Sequence, residues 1–93
     1  MKRYVIKENG DILPIDLRLN EKSIKELLKA EEIQWFVIGD QVGMIMWANT
    51  DTDNYELNEV ATKLFNQPYI NILGPAYIAP ISDVLKCRLY FFD

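Results

Sequence analysis

The chain has 93 residues, 49% of them hydrophobic and 12% aromatic, with a formal net charge of −4. That length predicts one domain over 1–93, and that apolar load excludes a disordered segment. With no histidine and a single cysteine, the commonest general base, the histidine-based triads and an internal disulfide are excluded together.

No apolar run approaches the ~20 residues of a membrane span. Behind its charges, "MKRYVIKENG" offers only Tyr4-Val5-Ile6 as an apolar stretch, too short for a secretory signal. The expected setting is the cytoplasm, away from the membrane.

Tyr4–Lys7 and Ile12–Leu17 flank Asn9-Gly10 and read as a hairpin, because both turn positions accept positive φ. Pro14 places the second strand at a sheet edge or a bulge. Asn20 is a helix N-cap, and Ile24, Leu27 and Leu28 repeat at helical spacing, which predicts the main helix over about 21–31. "IQWFVIG", 33–39, and "VGMIMWA", 42–48, are β-branched and aromatic runs joined by Gly39-Asp40-Gln41, the pattern of a second antiparallel hairpin. Both of its faces are apolar, so Trp35, Val37, Ile45 and Trp47 are core candidates, with Phe36, Met44 and Met46 on the opposite face.

Asn49–Asn54 has no periodicity and reads as a loop. Val60, Ala61, Leu64 and Phe65 predict a short second helix over about 59–65 at the edge of the sheet, capped by Asn58. Asp53 with Glu56 forms a rival capping box that starts it earlier. "YINILGPAYIAP", 69–80, is a strand interrupted at Gly74-Pro75, 82–86 a turn or short helix, and "CRLYFFD", 87–93, a last strand. Local pairing of these runs predicts an α+β fold with an antiparallel sheet of four to six strands.

Charge divides along the chain. Residues 1–30 hold seven basic and five acidic side chains, whereas 31–93 hold three and nine. From Glu31 to Thr62 there is no Lys or Arg, while Glu31, Glu32, Asp40, Asp51, Asp53, Glu56 and Glu59 accumulate. Such a surface repels nucleic-acid phosphates and steers cationic partners.

Chemical motifs are sparse. Cys87, between Lys86 and Arg88 in a strand-like run, reads as a small buried hydrophobe and dispensable for binding. The four glycines are scattered and form no phosphate loop. A calcium loop starting at Asp51 needs an oxygen ligand at its fifth position, glycine at its sixth and glutamate at its twelfth; the chain offers Tyr55, Glu56 and Thr62. No metal or cofactor is expected, and no enzymatic activity. Asn49, Tyr55 and Asn58, rimmed by Asp51, Asp53, Glu56 and Glu59, instead read as a recognition loop of aromatic and adaptable polar groups. The plainer reading has the asparagines satisfying backbone groups and the acids merely solvated.

Asn49, Leu57-Asn58, Ala61-Thr62, Leu64, Ile72 and Gly74-Pro75 together resemble a small family of phage and mobile-element proteins known only as a domain of unknown function. Thr50 and Glu56 depart from that family's glutamate and proline, and its Gly-Gly after the first helix is missing. The resemblance implies a mobile-element origin and supplies no catalytic residue. The functional expectation is a small soluble protein, monomer or homodimer, that binds a basic host protein through its acidic face, in the manner of a counter-defence inhibitor. The alternative is a small molecule or nucleotide held on a sheet face, suggested by Tyr4, Tyr69, Tyr77, Tyr90, Phe91 and Phe92.

Overall fold

Two local hairpins supply four strands of an antiparallel sheet in the computed structural model, which describes residues 3–39, 41–50 and 55–84. β1 (Tyr4–Ile6) pairs with β2 (Ile12–Pro14), and β3 (Ile33–Val37) with β4 (Met44–Asn49). β5 (Ala76–Pro80) inserts between the hairpins, giving the order β2-β1-β5-β4-β3 among the described residues. Two helices, α1 (Glu21–Leu28) and α2 (Glu59–Phe65), complete the α+β fold, and residues 82–84 add a helical turn. Asp40, Cys87 and the expected strand over 87–93 lie outside the described residues.

The first turn differs from the expected two-residue form. Gly10 N–H donates to the Lys7 carbonyl at 2.9 Å and Lys7 N–H to the Asp11 carbonyl at 2.8 Å, so Glu8-Asn9-Gly10 make a three-residue loop. Only Gly10 adopts a positive φ, +93°, the bulge position of such loops. Asn9 keeps an ordinary backbone because its Oδ1 accepts from Asp11 N–H, an Asx turn. Pro14 sits on edge strand β2, opposite Tyr4, where its missing N–H costs no ladder bond.

α1 starts as expected, with Asn20 Oδ1 accepting from Ser23 N–H at 2.8 Å. It ends three residues earlier than its periodicity suggests. Lys29 turns left-handed at φ +53°, Lys29 N–H donates to Glu26 O, and Ala30 N–H reaches back to Lys25 O, a Schellman closure. Ala30 then buries in one cluster with Leu28 and with Ile24, the position one turn before Leu28 that supplies the apolar contact of that motif.

Strand alternation divides the apolar residues between two faces. Val5, Tyr77 and Ala79 gather under α1 with Ile24 and Leu28. Tyr4, Ile6, Met44, Met46, Ala48, Ala76 and Ile78 lie on the other face, and Ala61 and Phe65 of α2 pack there. α2 therefore covers a face instead of lying at the edge. Phe65 reaches Phe36 on β3 with ring centroids 4.8 Å apart.

The β3–β4 register, with Trp35 opposite Trp47 and Phe36 opposite Met46, bears out the expected faces, but not every expected core residue. Ile45 and Met46 are fully buried on central β4. Trp35 and Trp47 are half-buried, and Val37 is 57% exposed. The cause is lateral position: β3 is the outer strand of the sheet, and eight-residue α1, about 12 Å long, packs on β4 and β5. Urea denaturation should therefore separate the two strands. Met46→Ala is expected to cost about 2–5 kcal/mol, whereas Val37→Ala costs at most about 1 kcal/mol.

Candidate functional site

Asn58 joins the pieces of the expected recognition segment. Its Oδ1 accepts from Ala61 N–H at 3.0 Å and caps α2. Its Nδ2 donates to Ile6 O at 2.9 Å and Gly74 O at 3.0 Å, tying α2 to β1 and to the entry of β5. At 0% exposure this side chain is an internal bracket. Asn58 N–H donates to Ile72 O and Gly74 N–H to Glu56 O, so 56–58 runs antiparallel to 72–74 around the bridge between Leu57 and Leu73.

Tyr55 crosses from this bracket to α1. Its hydroxyl donates to the Lys29 carbonyl at 2.7 Å, one of those left open where α1 ends. Its ring lies against Gly74, where a Cβ would stand 2.8 Å from Tyr55 Cδ1 and φ is +78°. Only glycine fits there, on both counts. Asn49 is buried and donates through Nδ2 to Leu73 O at 2.6 Å, while its Oδ1 is buried without a partner. Thr50 N–H donates to Glu32 O at 3.0 Å, fixing the end of β4 to the segment after α1.

Of the expected partner-binding residues, Asn49 and Asn58 are thus internal, Tyr55 is half-buried, and Glu56 and Glu59 are exposed. Asp51 and Asp53 lie outside the described residues, and with them the rival capping box; Asn58 is the cap in place. Exposed Glu31 and Glu32 join the same end of the molecule through Thr50 and Tyr55. A groove of about 710 Å³ opens beside them, floored by Val5, Leu13, Leu28 and Pro75. Lys7, Lys29 and Glu56 also line it, so the acidic end carries two cations that the linear charge pattern does not place there.

A second cavity, about 490 Å³, lies over the α1 face of the sheet, between Leu19, Ile24, Trp47, Tyr77 and Val84. Asp83 stands at its side, accepting Arg3 Nε and Nη2 at 2.9 and 2.8 Å and, through its carbonyl, Arg18 Nη2 at 2.7 Å. Tyr77 is 1% exposed and its buried hydroxyl has no hydrogen-bond partner. Burial pushes the phenol above its ordinary value of 10; Arg3 opposes this, Asp83 adds to it, and the Leu19 backbone N–H opposes it slightly. Sequence reasoning counted Tyr77 only in a general aromatic excess. Its place in the run "PAYIAP" signals burial and gives no sign that the hydroxyl is orphaned.

Among the described residues no group of three His, Cys, Asp or Glu side chains is placed to hold a metal ion, and no helix is long and apolar enough to cross a membrane. Comparison with protein-family models, curated proteins and solved structures finds no match to this chain.

Asn58→Ala should cost about 3–5 kcal/mol in urea denaturation, because it removes the cap and two further buried hydrogen bonds. Asn58→Ser restores the cap acceptor without the amide donors and should recover only about 1 kcal/mol. Tyr77 predicts an alkaline effect of definite sign. Its folded-state pKa lies above the unfolded one, so its contribution is full below pH 10 and is lost as pH rises through the folded value. Tyr77→Phe should remove that part of the fall in stability measured between about pH 9 and about pH 11.

Proposed function

We propose that this protein is a non-enzymatic interaction module that binds a host protein with a basic surface through the end of the sheet carrying Glu31, Glu32, Glu56 and the 49–59 loop. The observation that supports it most is the Tyr55 hydroxyl bond to the Lys29 carbonyl, 2.7 Å, which draws acids distant in sequence to one end. Thr50 N–H on Glu32 O does the same from β4. The result is a surface with an apolar floor and a charged rim, the anatomy of a protein interface. Exposed like charges gathered this way repel one another, and a cationic partner relieves that repulsion.

The internal bonds of Asn49 and Asn58 anchor the chain at these two positions, and restraint of this kind lowers the ordering cost of docking there. The resemblance to phage and mobile-element proteins supplies the host as the source of the partner. Counter-defence, by occluding a basic groove on a host protein, is the form of binding that this charge suits.

Affinity capture from host lysate tests the proposal, comparing the parent with a variant carrying Glu31, Glu32, Asp51, Asp53, Glu56 and Glu59 as Gln or Asn. The parent should retain a basic protein at ~50 mM salt and release most of it by ~500 mM, because salt screens exposed charge contacts. The neutralised variant should retain roughly tenfold less or weaker still, the effect of losing several steering charges. Equal capture by both proteins, insensitive to salt, removes the acidic-end reading.

A further inference from the structure

The cavity over Tyr77 lies apart from the acidic end. Its wall on the sheet side is built from register partners, since Trp47 of β4 stands directly opposite Tyr77 of β5 and both face α1. Leu19, Ile24 and Val84 supply the remaining apolar surface. The volume, about 490 Å³, lies within the range of sites that hold small organic molecules.

One polar group points to an occupant. The Tyr77 hydroxyl is buried and unpartnered, on central strand β5, whose other residues are all apolar. The Leu19 N–H acts on the phenol oxygen only from outside hydrogen-bond geometry, and as a donor it offers the hydroxyl proton nothing to bind. A buried hydroxyl without an acceptor is destabilising, and phenylalanine would fill the same space without that penalty. A ligand atom that accepts the proton removes the penalty. The charges nearby define what else the ligand carries. Arg18, Glu21 and Asp83 line the mouth and Arg3 is bound to the Asp83 carboxylate, two cations against two anions, so the charge there selects neither an anion nor a cation. The half-buried indole of Trp47 offers a flat surface to a planar ring.

We infer that the cavity between α1, Trp47 and Tyr77 binds a small, neutral, planar aromatic molecule whose carbonyl oxygen or ring nitrogen accepts a hydrogen bond from the Tyr77 hydroxyl. The site is independent of partner binding at the acidic end and uses none of its residues.

The test uses the full chain and Prodan, a neutral aromatic ketone whose emission shifts to the blue in apolar surroundings. Titration should give saturable binding at one site per chain, with blue-shifted emission. Tyr77→Phe should weaken binding about tenfold, the worth of one hydrogen bond in a dry site. The same substitution should leave the urea midpoint unchanged or raise it, which separates lost binding from lost folding. Ile24→Trp, which fills the cavity from α1, should abolish the signal while circular dichroism stays that of the parent. The inference is overturned by an absence of saturable binding up to about 1 mM. Equal or tighter binding by Tyr77→Phe overturns it too, as does size-exclusion behaviour showing that a second copy of the chain fills the cavity.

Discussion

One neutral amide organises the half of this protein that carries its acids. The Asn58 side chain makes three hydrogen bonds from a fully buried position, one accepted and two donated. No other side chain of its size does this. Aspartate lacks the donors and would bring a charge into the core; serine is too short to reach two carbonyls at once. Through those bonds β1, the Gly74 turn and the start of α2 acquire fixed positions relative to one another. Polar groups in a core are costly unless satisfied, and a satisfied one specifies a unique arrangement.

The consequence runs outward to Tyr55. With 56–58 held against 72–74, the ring of Tyr55 falls on Gly74 and its hydroxyl on the end of α1. A glycine that looks from sequence like an interruption of a strand is the seat of an aromatic side chain. The position of half-buried Tyr55 is thus set by contacts that lie beneath the surface.

Much of this architecture was legible in the residue pattern, and the misses have physical causes. Both helix starts could be read because Asn20 and Asn58 act locally, on amides three residues away. The end of α1 could not, because Lys29 enters the left-handed region without the glycine that usually announces it. Strand faces were readable from alternation, but burial depends on lateral rank in the sheet. β5 takes the centre and pushes β3 to the edge, which is a non-local fact. The same insertion offers a second apolar face, so α2 had somewhere to pack other than the rim. For segment 49–59 the sequence left two readings of its asparagines open, recognition groups or side chains that satisfy the backbone, and Asn49 and Asn58 do the second. An asparagine that feeds backbone carbonyls in a core looks, in a sequence, like one in a solvated loop.

Strand order also governs how the chain comes to its structure. The N-terminal hairpin and the β3–β4 hairpin form from residues close in sequence, yet neither touches the other until β5 lies between them, pairing Val5 with Tyr77 across 72 positions. Closing so long a loop is slow, and until it closes each hairpin exposes an apolar face and an open ladder of amides. On the ribosome, that interval lasts until residue 80 has left the exit tunnel, because β5 ends there. A single late strand is at once the keystone of the sheet and its period of greatest exposure to aggregation.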